Sequence, residues 1–159
     1  MDSIDEIRNL IYHYYHLMDL GDYRGVAALY GDDGILRDGN QGTAWTGKDE
    51  TFALWDGLVR LYDGIPRTKH CVTNLVVEVD DDDTHATAKC YTIEFQATDD
   101  LALQPLIVGR WYDDLAKVDG QWRFVERRWF SDLVGDLSAH LKPEALGWWE
   151  EGAKASTRA

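Results

Sequence analysis

Residues 106–131 read LIVGRWYDDLAKVDGQWRFVERRWFS. Two runs rich in β-branched and aromatic residues, Leu106–Val118 and Gln121–Ser131, flank Asp119-Gly120, a dipeptide favoured in two-residue hairpin turns. A second pair of such runs lies upstream, Lys69–Val79 and Thr84–Thr98, joined by the charge run Asp80-Asp81-Asp82-Asp83, which reads as a solvated turn. Four long strands in series with tight turns predict an antiparallel meander, and a sheet of that length must twist and curl.

Working back from the strands, the chain opens with helices. Ser3-Ile4-Asp5-Glu6 fits a capping box with Ser3 as the cap and Glu6 reaching back. Ile4, Ile7, Leu10, Ile11, Tyr14, Tyr15 and Met18 recur at steps of three and four, and Gly21 offers a left-handed cap. A second helix is predicted from Asp22 to Tyr30, stopped by Asp32-Asp33-Gly34, with a short strand at Ile35-Leu36-Arg37. A third is predicted from Thr46 to Tyr62, with Phe52, Trp55, Leu58, Val59 and Tyr62 as its apolar stripe. Helices first and strands after is the α+β pattern. The expected shape is a cone: a curved antiparallel sheet wrapped around the N-terminal helices, with a pocket between them. The segment from Asp132 carries Leu133, Val134, Leu137, Leu141, Trp148 and Trp149, and is expected to cover the sheet or a neighbouring subunit.

At 159 residues the chain is expected to form one domain, 1–159, large enough for a core without disulfide or metal staples. Hydrophobic residues make up 45% and aromatics 12%, which excludes a disordered chain. Sixteen Lys+Arg against 29 Asp+Glu give a formal charge of −13, which disfavours nucleic acid and anionic membrane surfaces as partners. No apolar run approaches the roughly 18 residues of a membrane span, and the acidic start lacks the basic, greasy pattern of a signal peptide. Cys71 and Cys90 fall in strand-like segments without CxxC spacing, as buried reduced thiols do. A cytoplasmic protein is expected.

Three positions carry polar groups where apolar ones belong. Asp19 follows Ile4, Ile11, Tyr12 and Tyr15 at helical spacing, so its carboxylate turns inward at the negative end of a helix. Desolvation and the helix dipole both push such a group toward accepting a proton, as a general base does; the alternative is a solvated carboxylate at a fraying end. His70 opens the strand Lys69–Val79, and strict alternation places it on one face with Val72, Asn74 and Val76. It is either a proton shuttle or a hydrogen-bonded structural histidine. Arg127 and Arg128 point to opposite faces, so one faces inward and needs a carboxylate or an anionic ligand; Glu94, Asp113 and Asp114 are the candidate partners. The acidic run lacks the spacing of a calcium loop, and His13, His16 and Asp19 drift around the helix, so no metal is expected. No GxSxG, HExxH, P-loop or GxGxxG occurs.

Together these features resemble the nuclear transport factor 2-like superfamily and, within it, the SnoaL-like branch, over about residues 3–141. The residues carrying the resemblance are an opening helix ending in Asp19, a short helix followed by Asp32-Asp33, a third helix, a strand opening His70-x-x-Thr73-Asn74, and a last strand Trp122-Arg123-Phe124-x-x-Arg127-Arg128. The resemblance implies a cystatin-like α+β barrel. It is similar in arrangement to hexachlorocyclohexane dehydrochlorinase, scytalone dehydratase and bile-acid 7α-dehydratase. It implies an Asp19–His70 base dyad, Arg127 assisting the leaving group, and Tyr14 (or Tyr15) as the catalytic tyrosine of the dehydratases. Tyr15, Trp45, Asn74 and Trp129 are expected to touch substrate. The second histidine that scytalone dehydratase carries on the neighbouring strand is absent; Tyr91 or Ile93 stands there. The implied activity is a cofactor-independent lyase or isomerase of the dehydratase or dehydrohalogenase kind, working on a small cyclic apolar substrate as a homo-oligomer, dimer or trimer. Two alternatives stand beside it: a binding or assembly module like a ring-hydroxylating dioxygenase β subunit, and a polyketide-cyclase-like enzyme using the Asp alone.

Overall fold

A computed structural model describes residues 2–147. Three helices, α1 (Ser3–Leu20), α2 (Tyr23–Ala28) and α3 (Gly47–Leu58), accompany six strands: β1 (Tyr30–Asp38), β2 (Ala44–Thr46), β3 (Thr68–Val79), β4 (His85–Thr98), β5 (Leu101–Val118) and β6 (Gln121–Val134). One sheet in the order β2-β1-β6-β5-β4-β3 contains them all. The predicted meander β3–β6 is antiparallel throughout, and Asp119 and Gly120 both take positive φ at the hairpin tip, as that turn requires. β1 lies parallel to β6, so β1 and β2 extend the same sheet beyond the meander, at the edge opposite β3. The fold is thus the expected α+β arrangement of a curved sheet with N-terminal helices against it. Among the described residues no helix is long and apolar enough to cross a membrane.

Several local expectations are corrected. Asp2, not Ser3, caps α1: its extended backbone lets Oδ1 accept from the Asp5 N–H at 2.8 Å, while Ser3 lies inside the helix. A carboxylate there also meets the positive end of the helix dipole. β1 begins at Tyr30 and runs through Asp32-Asp33-Gly34, an irregular stretch whose two carboxylates face solvent. α3 ends at Leu58 rather than Tyr62, because Val59 turns extended and bridges to Leu141. Cys71 is exposed; alternation sends it outward where His70 turns inward, and only Cys90 is buried. In the C-terminal segment Leu137 and Leu141 are buried as expected, whereas Leu133 and Val134 are exposed. Trp148 and Trp149 lie outside the described residues.

Two bulges reset which side chains face the helices. In β6, Glu126 pairs with Asp114 and Phe124 with Leu115, so Val125 is the extra residue and points outward. Phe124 and Arg127 therefore both face the core, which strict alternation forbids. In β3 the register breaks between Thr73 and Val76, with Asn74 at φ 53. Asn74 is thereby exposed, not on the His70 face as expected, and Leu75, Val77 and Val79 take the inward positions.

The core joins Ile7, Ile11, Tyr14, Tyr15 and Met18 of α1 to Trp111, Leu115, Phe124 and Trp129 of the sheet. Tyr14 meets Trp111 and Phe124 edge-on, each at a centroid distance of 6.0 Å. Gly21 closes α1 at φ 73, its N–H donating to the Met18 carbonyl, and Asp22 N–H reaches back to Leu17. A Cβ at position 21 would stand 2.7 Å from the Gly64 carbonyl oxygen. Gly21→Ala is therefore expected to lower stability by about 1–3 kcal/mol in urea denaturation, from left-handed strain and this backbone clash.

Candidate active site

Asp19 sits in the last turn of α1, opposite the start of β3. Its Oδ1 accepts from the Thr68 hydroxyl at 2.8 Å and lies 2.7 Å from His70 Nδ1; its Oδ2 accepts from the His70 backbone N–H at 3.0 Å. Those bonds fix the His70 ring with Nδ1–H toward Asp19, and the Tyr15 ring stacks obliquely on it at 5.0 Å. Nε2 then faces Glu94, which stands directly across the ladder on β4, with Oε2 at 3.6 Å. The other oxygen of Glu94 lies 3.4 Å from Nε2 of His140. His140 belongs to the irregular segment after β6, held there because its carbonyl accepts from the Arg60 N–H and the Lys142 N–H donates to Leu58. Four titratable groups from α1, β3, β4 and the tail thus form one row, Asp19–His70–Glu94–His140.

Their charges follow from this order. Burial alone would push the His70 pKa down, but the charge of Glu94 and the bond to Asp19 outweigh it and raise the pKa to about 10. Burial works against an ionised Glu94, yet the neighbouring His140 and His70 bring it to about 2. Asp19 is likewise lowered: burial opposes ionisation, and the His70 bond prevails. His140 is lowered, chiefly by burial, with Glu94 opposing and His70 adding to the fall. At neutral pH the row holds two carboxylates, one imidazolium and one neutral imidazole.

The row borders a mainly apolar cavity between α1, α3, the tail and the sheet. Its walls include Tyr14, Tyr15, Met18, Trp55, His70, Glu94, Trp111, Trp129, His140 and Leu141. It is narrow, about 60 Å³ as traced by the centre of a water-sized sphere, room for a few waters. Tyr14 is buried and lines this wall with its side chain, and desolvation pushes its pKa up to about 12, so its hydroxyl keeps its proton.

Of the residues singled out from sequence, Asp19 and His70 meet, and Tyr14, Tyr15 and Trp129 line the cavity. Trp45 stacks on Trp129 at 5.7 Å and 15° but stands behind the wall, and Asn74 is exposed on its bulge. Arg127 faces inward as expected of one of the two arginines, while Arg128 points away, toward Glu126. Arg127, however, lies outside the cavity wall. It is fully buried, with Nε and Nη2 at 2.8 and 3.1 Å from the two oxygens of Asp113 and its guanidinium over the rings of Tyr14, Phe124 and Trp111. That contact is the salt bridge sequence offered as the alternative to an anionic ligand. Sequence missed two members of the row. Glu94 had a signal: Thr92, Glu94 and Gln96 share the inward phase of β4. His140 had none beyond its buried neighbours Leu137 and Leu141, because irregular chain carries no periodicity. Elsewhere, Asp80, Asp82 and His85 bring their ligand atoms within 4.8 Å of one another, but they are exposed and outside the cavity.

A family model described as a SnoaL-like domain matches residues 1–128. No curated protein sequence matches. Solved structures similar to this chain include an NTF2-like protein with a cystatin-like fold from Novosphingobium aromaticivorans (24% identity, 85% of this chain and 84% of that one, TM-score 0.68). A protein from the same organism, provisionally assigned as a scytalone dehydratase, gives 22% identity, 84% and 86% coverage and a TM-score of 0.69. A Mycobacterium tuberculosis protein of unknown function gives 24%, 98% and 89%, and 0.72. At these identities the structural likenesses establish the fold.

Two outcomes follow for stability. His70 has its folded pKa above its ordinary 6.5, so its contribution is full below about pH 6.5 and is lost as pH rises toward about 10. Glu94 is depressed from 4.5, so its contribution is present above about pH 4.5 and is lost as pH falls toward 2. Urea midpoints should therefore fall between pH 7 and 10, and His70→Gln should flatten that fall; an unchanged slope would contradict the charge assignment. Arg127→Met, which strands the Asp113 carboxylate in the core, should cost about 3–5 kcal/mol by the same measurement.

Proposed function

This chain belongs to the SnoaL-like domain family, and from that premise we propose that it is a cofactor-independent lyase or isomerase, dehydratase-like, moving a proton on a small cyclic apolar substrate. The observation that carries the proposal is the 2.7 Å contact between Asp19 Oδ1 and His70 Nδ1 at the edge of an aromatic-walled cavity. Acid–base chemistry needs a titratable group whose tautomer and orientation are fixed, beside a largely apolar hollow. Asp19 supplies the first condition and the rings of Tyr14, Tyr15, Trp111 and Trp129 the second. The same geometry favours a dyad over Asp19 acting alone, since the carboxylate is already engaged by Thr68 and by the His70 backbone and ring.

The resting charge of His70 favours the donating half of the reaction. An imidazolium between Asp19 and Glu94 is poised to protonate a departing hydroxyl or to stabilise an oxygen on which charge develops. The Tyr14 hydroxyl, protonated at working pH, is a second donor for that oxygen. Arg127, shielded from the cavity by Tyr14, Tyr15 and Trp111, acts as a support beneath these rings rather than as a leaving-group contact. Because the hollow is narrow, a ring enters by displacing wall side chains; the aliphatic ones are Met18, Leu58, Val59, Ile107 and Leu141.

The test is turnover of a panel of cyclic β-hydroxy ketones and enones, followed by mass loss of water. Asp19→Asn and His70→Gln should each fold, by circular dichroism, yet lose on the order of 10²-fold or more in kcat/KM. Full activity in both would discard the dyad. A wild-type protein that binds panel members and converts none would favour the binding-module alternative.

A further inference from the structure

We infer that His140, carried on the segment after β6, is the proton acceptor of this site, with Glu94 as the residue that positions it. The inference rests on the acid–base reading above and assigns the half of the reaction that His70 leaves open. His70 is bracketed by two carboxylates, at 2.7 and 3.6 Å, and both of its nitrogens point at negative charge. Asp19 spends its oxygens on Thr68 and His70. His140 differs from both. Its Nε2 lies 3.4 Å from Glu94, its ring forms part of the cavity wall, and its Nδ1 is buried with no hydrogen-bond partner among the described residues.

An ionised carboxylate only accepts hydrogen bonds, so Glu94 selects the tautomer of His140 with the proton on Nε2. The lone pair is then on Nδ1, the unpartnered atom. The charged and titratable groups acting on His140 are Glu94 from β4 and His70 from β3; burial and the His70 charge keep the imidazole neutral, with Glu94 opposing. The ring is also held in place. The His140 carbonyl accepts from Arg60 at 2.8 Å, and the Ala139 carbonyl accepts from the Tyr62 hydroxyl at 2.6 Å.

The substrate of the step is a cyclic β-hydroxy ketone. The Nδ1 lone pair of His140 takes the proton from the carbon beside the carbonyl, and the C–H electron pair forms the enolate. The enolate collapses to the conjugated ketone as the β C–O bond breaks, its electron pair leaving with the hydroxyl. That hydroxyl takes the Nε2 proton of His70 and departs as water. One proton has moved from His70 to His140, and exchange with solvent restores both.

The deciding experiment joins a nitrogen-15 histidine NMR titration of the full chain, pH 5 to 9, with kinetics on whichever panel member the wild type dehydrates. His140→Gln identifies the resonance. The expected result is a neutral His140 at pH 7 with its proton on Nε2, protonating only below pH 6.5, and a changed titration in Glu94→Gln. His140→Gln should lose on the order of 10²-fold in kcat with a smaller change in KM. A His140 charged at pH 7, a proton on Nδ1, or undiminished kcat in His140→Gln while His70→Gln is inactive overturns the assignment and leaves the acid–base reading standing. A wild type inert toward the whole panel overturns both.

Discussion

The carboxylate of Asp19 joins the end of a helix to the start of a strand. It accepts one bond from a hydroxyl, one from a backbone N–H and one from an imidazole, all on two residues of β3, Thr68 and His70. A charge at the C-terminal end of a helix is disfavoured by the helix dipole and by burial. These bonds supply what water would have supplied, and in doing so they fix how α1 approaches the sheet. The tight Gly21 cap, packed under the Gly64 carbonyl, keeps that last turn from fraying. The cavity, the orientation of His70 and the aromatic wall around Tyr14 and Tyr15 all depend on this docking.

The interior contains two ionic clusters that differ in balance. Arg127 and Asp113 form a closed, bidentate pair beneath aromatic rings; the charges cancel, and no polar atom of the pair borders the cavity. Such a pair is costly to break and holds one geometry. The row Asp19–His70–Glu94–His140 has two carboxylates and two imidazoles of which one is charged. Its protons are unevenly distributed, and two of its rings reach the cavity. The first kind of cluster holds one arrangement; shifted groups of the second kind cluster at functional sites. This contrast also explains why an inward-facing arginine on the last strand was an ambiguous sign: burial demands a partner, and a carboxylate one strand away satisfies that demand as fully as a ligand would.

Much of the architecture is legible in local patterns. Hydrophobic spacing over Ile4–Met18 marks α1, Gly21 marks its end, and the turn at Asp119-Gly120 pins the last hairpin. Asp19 and His70 stand out because each is a polar group at a position whose neighbours are apolar. Asn74 and Arg127 show where such arguments lose their footing. Alternation put Asn74 on the His70 face and left open which of Arg127 and Arg128 turns inward, and in both strands a bulge inserts one residue and inverts the phase beyond it. The bulge at Val125 lets Phe124 and Arg127 pack on the same side, under Tyr14.

What the sequence by itself determined, then, is the set of elements, the order in which they occur and the two chain positions whose side chains conflict with their surroundings. Those properties come from spacing and propensity within a few residues, where the chain's own geometry leaves little choice. Only the tertiary structure decided that β1 runs parallel to β6, that Glu94 lies between two imidazoles, and that the second imidazole arrives from an irregular tail 70 residues after the first. Contacts between distant segments are selected by how whole surfaces fit and by which buried charges find partners. No short window of sequence contains that information.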